Sequence, residues 1–467
     1  MRPVAHPSLP GWRTEAIETL RLSGPLVLAN LLQMLTFAID IIFVARLGPE
    51  SLAASALAFS VLGLLVWALH GLAGAATPIM AAELGARAPA LRPVRRTTRM
   101  ALWVAVGSGV LAMALCVSTG PFMLWTGQAP EVVALSMIYM QILVFSIVPM
   151  LIAGVLRNFV ATLGRPGLAT AITALGVIIN ALADWLLIFG NWGAPALGLQ
   201  GAALATVITA FAIVAFYLLA IFSDPRLARY HILGFLWRAD WARLKEILRV
   251  GAPIFVTIAA EAGIFGAAAF IMGRIGTLEL AAHTLAIQIA AMAFQVPMGM
   301  SQAATIRVGY FHGAGLAEGV HRSGWTAIAI TLAVMVFTAA AMLAIPHSLL
   351  SIYIDVRDPA NASLVELATS LLAIAAAFQL VDGLQAVAAG TLRGLKDTSV
   401  PMRIALFSYW IPGFGTAIVL GLGSSLAGTG VWLGLSAGLA TASALLTVRW
   451  HCRERLGLLA PPALPHI

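Results

Sequence analysis

Cysteine is nearly absent: the 467 residues include two, Cys116 and Cys452. The first lies toward the outer end of an apolar run and the second in a polar tail, so they cannot meet in a bridge, and no disulfide or cysteine-based metal framework is implied. Charge is also scarce. Asp, Glu, Lys and Arg supply 10% of the residues, against about 25% in ordinary globular domains, which excludes a water-soluble fold. No H-E-x-x-H, G-x-S-x-G or Cys/His metal spacing occurs, and no His, Ser and Asp grouping stands out, so the chain reads as something other than an enzyme. Residues 1–20 contain Pro3, Pro7, Pro10, Glu15 and Glu18 and lack an apolar core followed by a cleavage site. The first apolar run is therefore expected to act as an uncleaved insertion signal.

What the sequence has is apolar length, with 61% hydrophobic residues. Runs of apolar residues fall at 22–45, 52–82, 100–120, 132–163, 168–189, 198–222, 250–273, 280–311, 325–346, 363–392, 401–423 and 430–448. Each is long enough for a crossing of about 20 residues. The expected fold is an all-α polytopic membrane protein with twelve transmembrane helices. The net charge of +8 suggests nucleic acid until its placement is read. With a cytoplasmic N-terminus, the outer connections carry Arg46, Arg274 and Arg357, and all other Lys and Arg fall on the inner side, including Arg87, Arg92, Arg95, Arg96 and Arg99, and Arg226, Arg229, Arg238, Arg243, Lys245 and Arg249. This is the positive-inside pattern. It places both termini in the cytoplasm, in a bacterial inner membrane, and removes the case for a nucleic-acid partner.

The chain also repeats itself. Residues 21–86 lie on 249–314 without a gap: Arg21 and Pro25 meet Arg249 and Pro253, Arg46 and Gly48 meet Arg274 and Gly276, and Ala75-Ala76-Thr77 meets Ala303-Ala304-Thr305. Further on, Gly201 corresponds loosely to Gly430. Two pseudo-symmetric six-helix lobes follow, expected at 1–222 and 250–467, with 223–249 as a cytoplasmic linker whose Trp237, Trp241, Leu244, Ile247 and Leu248 suit a membrane interface. Because six is even, the halves are parallel repeats, an arrangement known in secondary transporters that alternate access.

Four carboxylates lie deep in these runs, Asp40, Asp184, Glu261 and Asp382, with no basic residue at comparable depth to pair with them. A charge at the bilayer centre costs about 2.5 to 3.5 kcal/mol even on a lenient scale. The repeat is silent on these acids: Asp40 aligns with Ala268, and Glu261 with Gln33. At 1.5 Å per residue, Asp40 lies ~9 Å from the outer boundary marked by Arg46, and Asp382 ~17 Å from the inner end marked by Arg393. Asp184 lies at a height similar to Asp40, and Asn180, four residues earlier, shares its helical face. Thr206 offers a hydroxyl to join them. A plain structural cluster is the alternative, but interhelical hydrogen bonds average ~0.6 kcal/mol, which falls short of the cost of inserting two acids. A carboxylate away from water can hold a proton and release it when hydrated or when a cationic substrate arrives. Na+ would need oxygen ligands, which the same cluster offers. Either ion remains open.

In order along the chain stand Phe37-Ala-Ile-Asp40, Ala45-Arg-Leu-Gly48, Asn180-x-x-x-Asp184, Gly201-Ala-Ala-Leu-Ala-Thr206, Glu261 and the stretch Asp382 to Asp397. On these residues the chain, from about 20 to 450, resembles the multidrug and toxic compound extrusion (MATE) transporters, in their bacterial NorM-like branch. The resemblance implies secondary active efflux of organic cations and amphipathic drugs in exchange for H+ or Na+, with no further cofactor. It implies that Asp40, Asn180, Asp184 and Thr206 bind the coupling cation in one lobe, and Glu261 and Asp382 in the other. One departure is Phe378, one turn before Asp382, where that branch often has tyrosine.

Gln33, Met292, Gln295 and Phe378 are candidates for lining a substrate cavity, with helix contact or core packing as the plainer reading. Arg157 is expected to snorkel to the inner interface. Partners are small cationic or amphipathic molecules and the bilayer, and the protein is expected to act as a monomer. The rival within transport is a flippase for lipid-linked sugars or a metabolite carrier of similar architecture, which should carry basic residues in its cavity for phosphate.

Overall fold

A computed structural model describes residues 9–87 and 89–459. Pro3, Pro7 and both chain ends, whose cytoplasmic placement the charge pattern suggests, lie outside the described residues. Among the described residues there is no strand. Twelve helices among these residues are long and apolar enough to cross a membrane. Spans one to six are Trp12–Ala45, Pro49–Ala86, Leu91–Val117, Pro130–Thr162, Pro166–Phe189 and Leu199–Ser223. Spans seven to twelve are Trp241–Ile275, Thr277–Gly313, Ala317–Ala344, Pro359–Gly394, Ser399–Leu422 and Ala427–His451.

Local chemistry sets many of the ends. Pro49, Pro130 and Pro166 open their helices at positions where a missing N–H costs nothing. Gly190 closes span five in the left-handed region at φ 72°. Gly48, at φ 108°, makes the turn between spans one and two, a conformation that disfavours a side chain. Prolines inside spans have different outcomes. Pro25, Pro253 and Pro297 sit within continuous helices. Pro149 follows a 3₁₀ turn at Val144–Ser146, and Pro412 lies within a π-helical stretch, Tyr409–Phe414.

Two glycines carry the repeat into packing. A Cβ on Gly201 would strike the Leu187 carbonyl of span five, and one on Gly430 would strike the Leu420 carbonyl of span eleven. Each glycine lets the last span of its half lie backbone against backbone on the span before it. Spans eight and ten approach as closely, with Ser301 Oγ donating to the Ala386 carbonyl at 2.7 Å and Thr305 Oγ1 to the Gly390 carbonyl at 2.8 Å.

The chain divides into two compact units. The first comprises 24–84 and 89–255; the second comprises the described residues among 1–23, 85–88 and 256–467. These boundaries differ from a division at 1–222, 223–249 and 250–467 at both ends of the first half. In the second unit, Glu15 is fully buried and Arg307 grips it with two N–H groups, Nε to Oε1 at 2.9 Å and Nη2 to Oε2. Arg322 Nη1 donates to the Pro10 carbonyl at 2.8 Å, and Trp12 meets the His321 ring edge-on.

In the first unit the segment before span seven is fastened to span three. Arg95 Nε donates to the Tyr230 carbonyl at 2.8 Å, Arg99 Nη1 to the Phe235 carbonyl at 3.3 Å, and Trp103 Nε1 to the Leu236 carbonyl at 2.8 Å. Arg96 pairs with Asp240 and holds its carboxyl below the usual carboxylate range. The amphipathic run expected here is split. Trp237 and Trp241 are largely exposed, Ile247 is fully buried, and residues from Trp241 onward are the first turns of span seven.

Candidate functional site

Asp40, late in span one, and Asn180 and Asp184, one turn apart in span five, converge in the first unit and are all buried. The Asp40 carboxylate lies close enough to Asp184 and Asn180 for each to act on it. Asp40 Oδ1, both Asp184 carboxylate oxygens and Asn180 Oδ1 find no donor. Four oxygens therefore meet in an apolar bundle with nothing positive between them. Two carboxylates at such range call for a shared proton or a hard cation, and carboxylate and amide oxygens are the donor set a hard cation takes.

Thr206 is buried on span six, but its hydroxyl donates to the Ala202 carbonyl of its own helix at 3.1 Å and is not among the partners of the acids. Tyr139, which sequence reasoning passed over, stands within electrostatic reach of both Asp40 and Asp184. Span four brings it there, packed against Phe59 at 6.0 Å between ring centroids. The available signal was its rarity, since the chain has 6 tyrosines and a buried phenol needs a partner.

In the second unit Glu261 of span seven and Asp382 of span ten interact electrostatically, and both are buried. Asp382 Oδ1 also lacks a donor. No basic residue lies at the depth of these acids along the chain, yet Arg393, near the C-terminal end of span ten, is within electrostatic reach of Glu261. Tyr409, fully buried, senses Glu261, Asp382 and Arg393 together. It opens the π-helical stretch of span eleven. A phenol thus stands beside the pair from another helix, although position 378 holds phenylalanine.

Of the residues considered for a substrate cavity, Gln33 and Met292 are both exposed, and Met292 lies within 3.4 Å of the Tyr353 hydroxyl. Gln295 Nε2 returns to the Ala291 carbonyl of its own helix at 3.0 Å. Phe378 lines no opening: it is 2% exposed and packs edge-on against Phe265 and Trp432. Its aromatic volume is taken up by the core of the second unit. Arg157 is also placed differently from expectation. Instead of reaching for the interface, its guanidinium turns to span one, donating to Asn30 Oδ1 and, at 3.5 Å, to Gln33 Oε1.

The sequence pattern of the MatE family matches residues 25–186 and 253–419. A protein of Mesorhizobium japonicum named "Probable multidrug resistance protein NorM" is 42% identical over 452 residues, 97% of this chain and 96% of its own length. One of the same name from Brucella suis is 41% identical, covering 94% of this chain and 93% of its own. A solved structure described as the eukaryotic MATE transporter AtDTX14 superposes with a TM-score of 0.84 over 96% of this chain and 99% of that one. At 20% identity this last likeness concerns the fold.

Proposed function

Because this chain belongs to the MatE family, we propose that it is a secondary active efflux transporter that exports organic cations and amphipathic drugs in exchange for H+ or Na+ by alternating access. It works as a monomer in a bacterial inner membrane with both termini in the cytoplasm, an orientation favoured by the basic inner connections. Export of drugs accords with the names of the Mesorhizobium and Brucella relatives.

One observation carries the exchange reading: the Asp40 carboxylate facing Asp184 and Asn180, with oxygens that have no donor inside an apolar bundle. A coupling cation that settles there neutralises the pair. A cationic substrate drawn by the same charge competes with it, so one site with two mutually exclusive positive occupants links drug exit to cation entry. Glu261 and Asp382, with Tyr409 beside them, form a second acidic position whose charge is already partly offset by Arg393.

The test is ethidium movement in proteoliposomes under an imposed pH gradient or an imposed Na+ gradient, for the parent, Asp40→Asn and Asp382→Asn. Movement driven by one gradient and lost in the variants supports the reading and names the ion. Several cationic dyes left unmoved by either gradient, with the protein folded and inserted, would overturn it in favour of a lipid or metabolite carrier.

A further inference from the structure

Arginines crowd around one acid at the N-terminal end of span three. Arg99 stands within electrostatic reach of Arg95, Arg96 and Arg238, and of one carboxylate, Asp240, which Arg96 already pairs. Glu83, the other acid acting on Arg96, is taken by Arg243. Arg95, Arg99 and Arg238 are thus left without a counter-charge of their own. Carbonyls of the segment before span seven accept one N–H from Arg95 and one from Arg99, which satisfies donors and leaves the charge. Arg99 is 6% exposed, and its Nε finds no acceptor. An unpaired guanidinium away from water is costly, and the N-terminal end of a helix favours negative charge over positive. For fastening the segment to the span, a neutral donor such as the Trp103 indole serves without that cost.

An apolar face continues from the cluster. Trp103, Val106, Val110 and Val117 follow Arg99 at four, seven, eleven and eighteen positions, which is one side of a helix, and all four are exposed. From Trp103 to Val117 the stripe runs ~21 Å, more than the ~15 Å of hydrocarbon in one leaflet. Trp103 ties this face to the segment through its indole N–H on the Leu236 carbonyl, and the adjoining Phe235 and Trp237, stacked edge to face, are exposed. Aromatic rings of this kind settle at the level of lipid headgroups. Charge, aromatic collar and apolar stripe therefore succeed one another along span three in the order of a lipid's headgroup, interface and acyl chain.

We propose that Arg99, with Arg95 and Arg238, binds the phosphate of an anionic phospholipid whose acyl chain lies along Trp103, Val106 and Val110. Basic clusters at the cytoplasmic edge of a span take the anionic headgroups of that leaflet, and a guanidinium fork matches phosphate oxygens. The inference goes beyond the efflux reading: it rests on the placement of span three in a bilayer and is independent of the ion or drug carried.

The test is native mass spectrometry of the purified full-length protein in detergent, titrated with phosphatidylglycerol or with phosphatidylcholine of the same acyl chains. The parent is expected to bind phosphatidylglycerol about tenfold or more tightly than phosphatidylcholine. Arg99→Gln and Arg238→Gln are each expected to lower that ratio about threefold or more, while Arg357→Gln, in an outer connection, leaves it unchanged. Arg238 is exposed, so its variant reads the site even where Arg99→Gln does not fold. Equal binding of the two lipids by the parent, or a ratio untouched by both Arg99→Gln and Arg238→Gln, overturns the proposal. So does an equal fall in Arg357→Gln, which would make the preference a matter of net charge. Soluble glycerol phosphate at the same concentration is expected to leave the lipid bound; displacement would mark a site for free phosphate and overturn the lipid assignment. Failure of gradient-driven ethidium movement, by contrast, overturns the efflux reading and is a separate measurement.

Discussion

At the scale of single residues, the two acidic positions differ in what surrounds them. Asp40 and Asp184 face each other with an amide and a phenol nearby, whereas Glu261 and Asp382 have Arg393 in range. Asp40→Asn is expected to abolish gradient-driven efflux, with a loss of more than about tenfold, while membrane expression persists; dye efflux and quantitative immunoblotting of the same cells would check it. Full efflux in that variant would remove Asp40 from the coupling step. Tyr409→Phe deletes one hydroxyl beside Glu261 and Asp382. It is expected to raise the ion concentration for half-maximal efflux by about threefold to tenfold, the equivalent of one modest hydrogen bond; a titration that superposes on the parent's would leave Tyr409 a packing residue. Asp40, Asn180 and Asp184 were legible in the sequence because depth and the four-residue spacing are local properties. Tyr139 and Tyr409 were not, because each meets the acids from another span, and neither was the reach of Arg393, on the span of Asp382, to Glu261 of span seven. Thr206 shows the limit of such reading, because a buried hydroxyl in a helix has an acceptor in its own backbone one turn back.

At the scale of elements, the helices follow hydropathy in their middles and depart from it at their ends. Span one begins at Trp12, ten residues before its apolar run, because Glu15 has Arg307 to bury against. Hydropathy sees a polar turn there; only the distant arginine makes it helical core. Glu15→Ala is expected to cost about 3 kcal/mol, read as a drop in the thermal midpoint of the detergent-solubilised protein, since it leaves Arg307 without its partner. An unchanged midpoint would show that the pair contributes nothing net. Asp240 gives a pH-dependent case. Arg96 lowers its folded value, so the contribution of this pair is present above the unfolded value of about 3.9 and is lost as pH falls through the folded value. Arg96 is 54% exposed, which limits the contribution to about 1 kcal/mol at most. Asp240→Asn should therefore lower the midpoint slightly at neutral pH, with the difference closing in strong acid. A difference that widened in acid would reverse the assignment.

At the scale of the whole molecule, the repeat preserves backbone geometry and releases chemistry. Gly201 and Gly430 do the same work in the two halves, whereas the acids fall at unrelated positions. The number of spans and the doubling were legible because both are recorded in local composition. Which segment packs into which unit was not, since that depends on contacts such as Glu15 with Arg307, 292 residues apart. Orientation can be measured directly. In a variant lacking Cys116 and Cys452, a cysteine placed at Arg357 is expected to react with an impermeant maleimide in intact spheroplasts, and one placed at Arg238 to react only after permeabilisation. The opposite pattern would invert the topology.

The arginines of span three add a dimension of time. In the proposed orientation, Arg95, Arg96 and Arg99 act during synthesis as bare cations that help decide which way the nascent chain threads the bilayer. In the finished protein Arg95 and Arg99 are capped by carbonyls of residues 230 and 235, and Arg96 by Asp240, all of them more than a hundred residues downstream and so not yet made when the choice of sides begins. The same side chains are first a signpost and later a clasp. Neutralising one of them would thus produce two lesions of different age, a population of chains threaded backwards and a loosened joint in those threaded correctly, and only a stability measurement restricted to correctly oriented molecules would tell the second from the first.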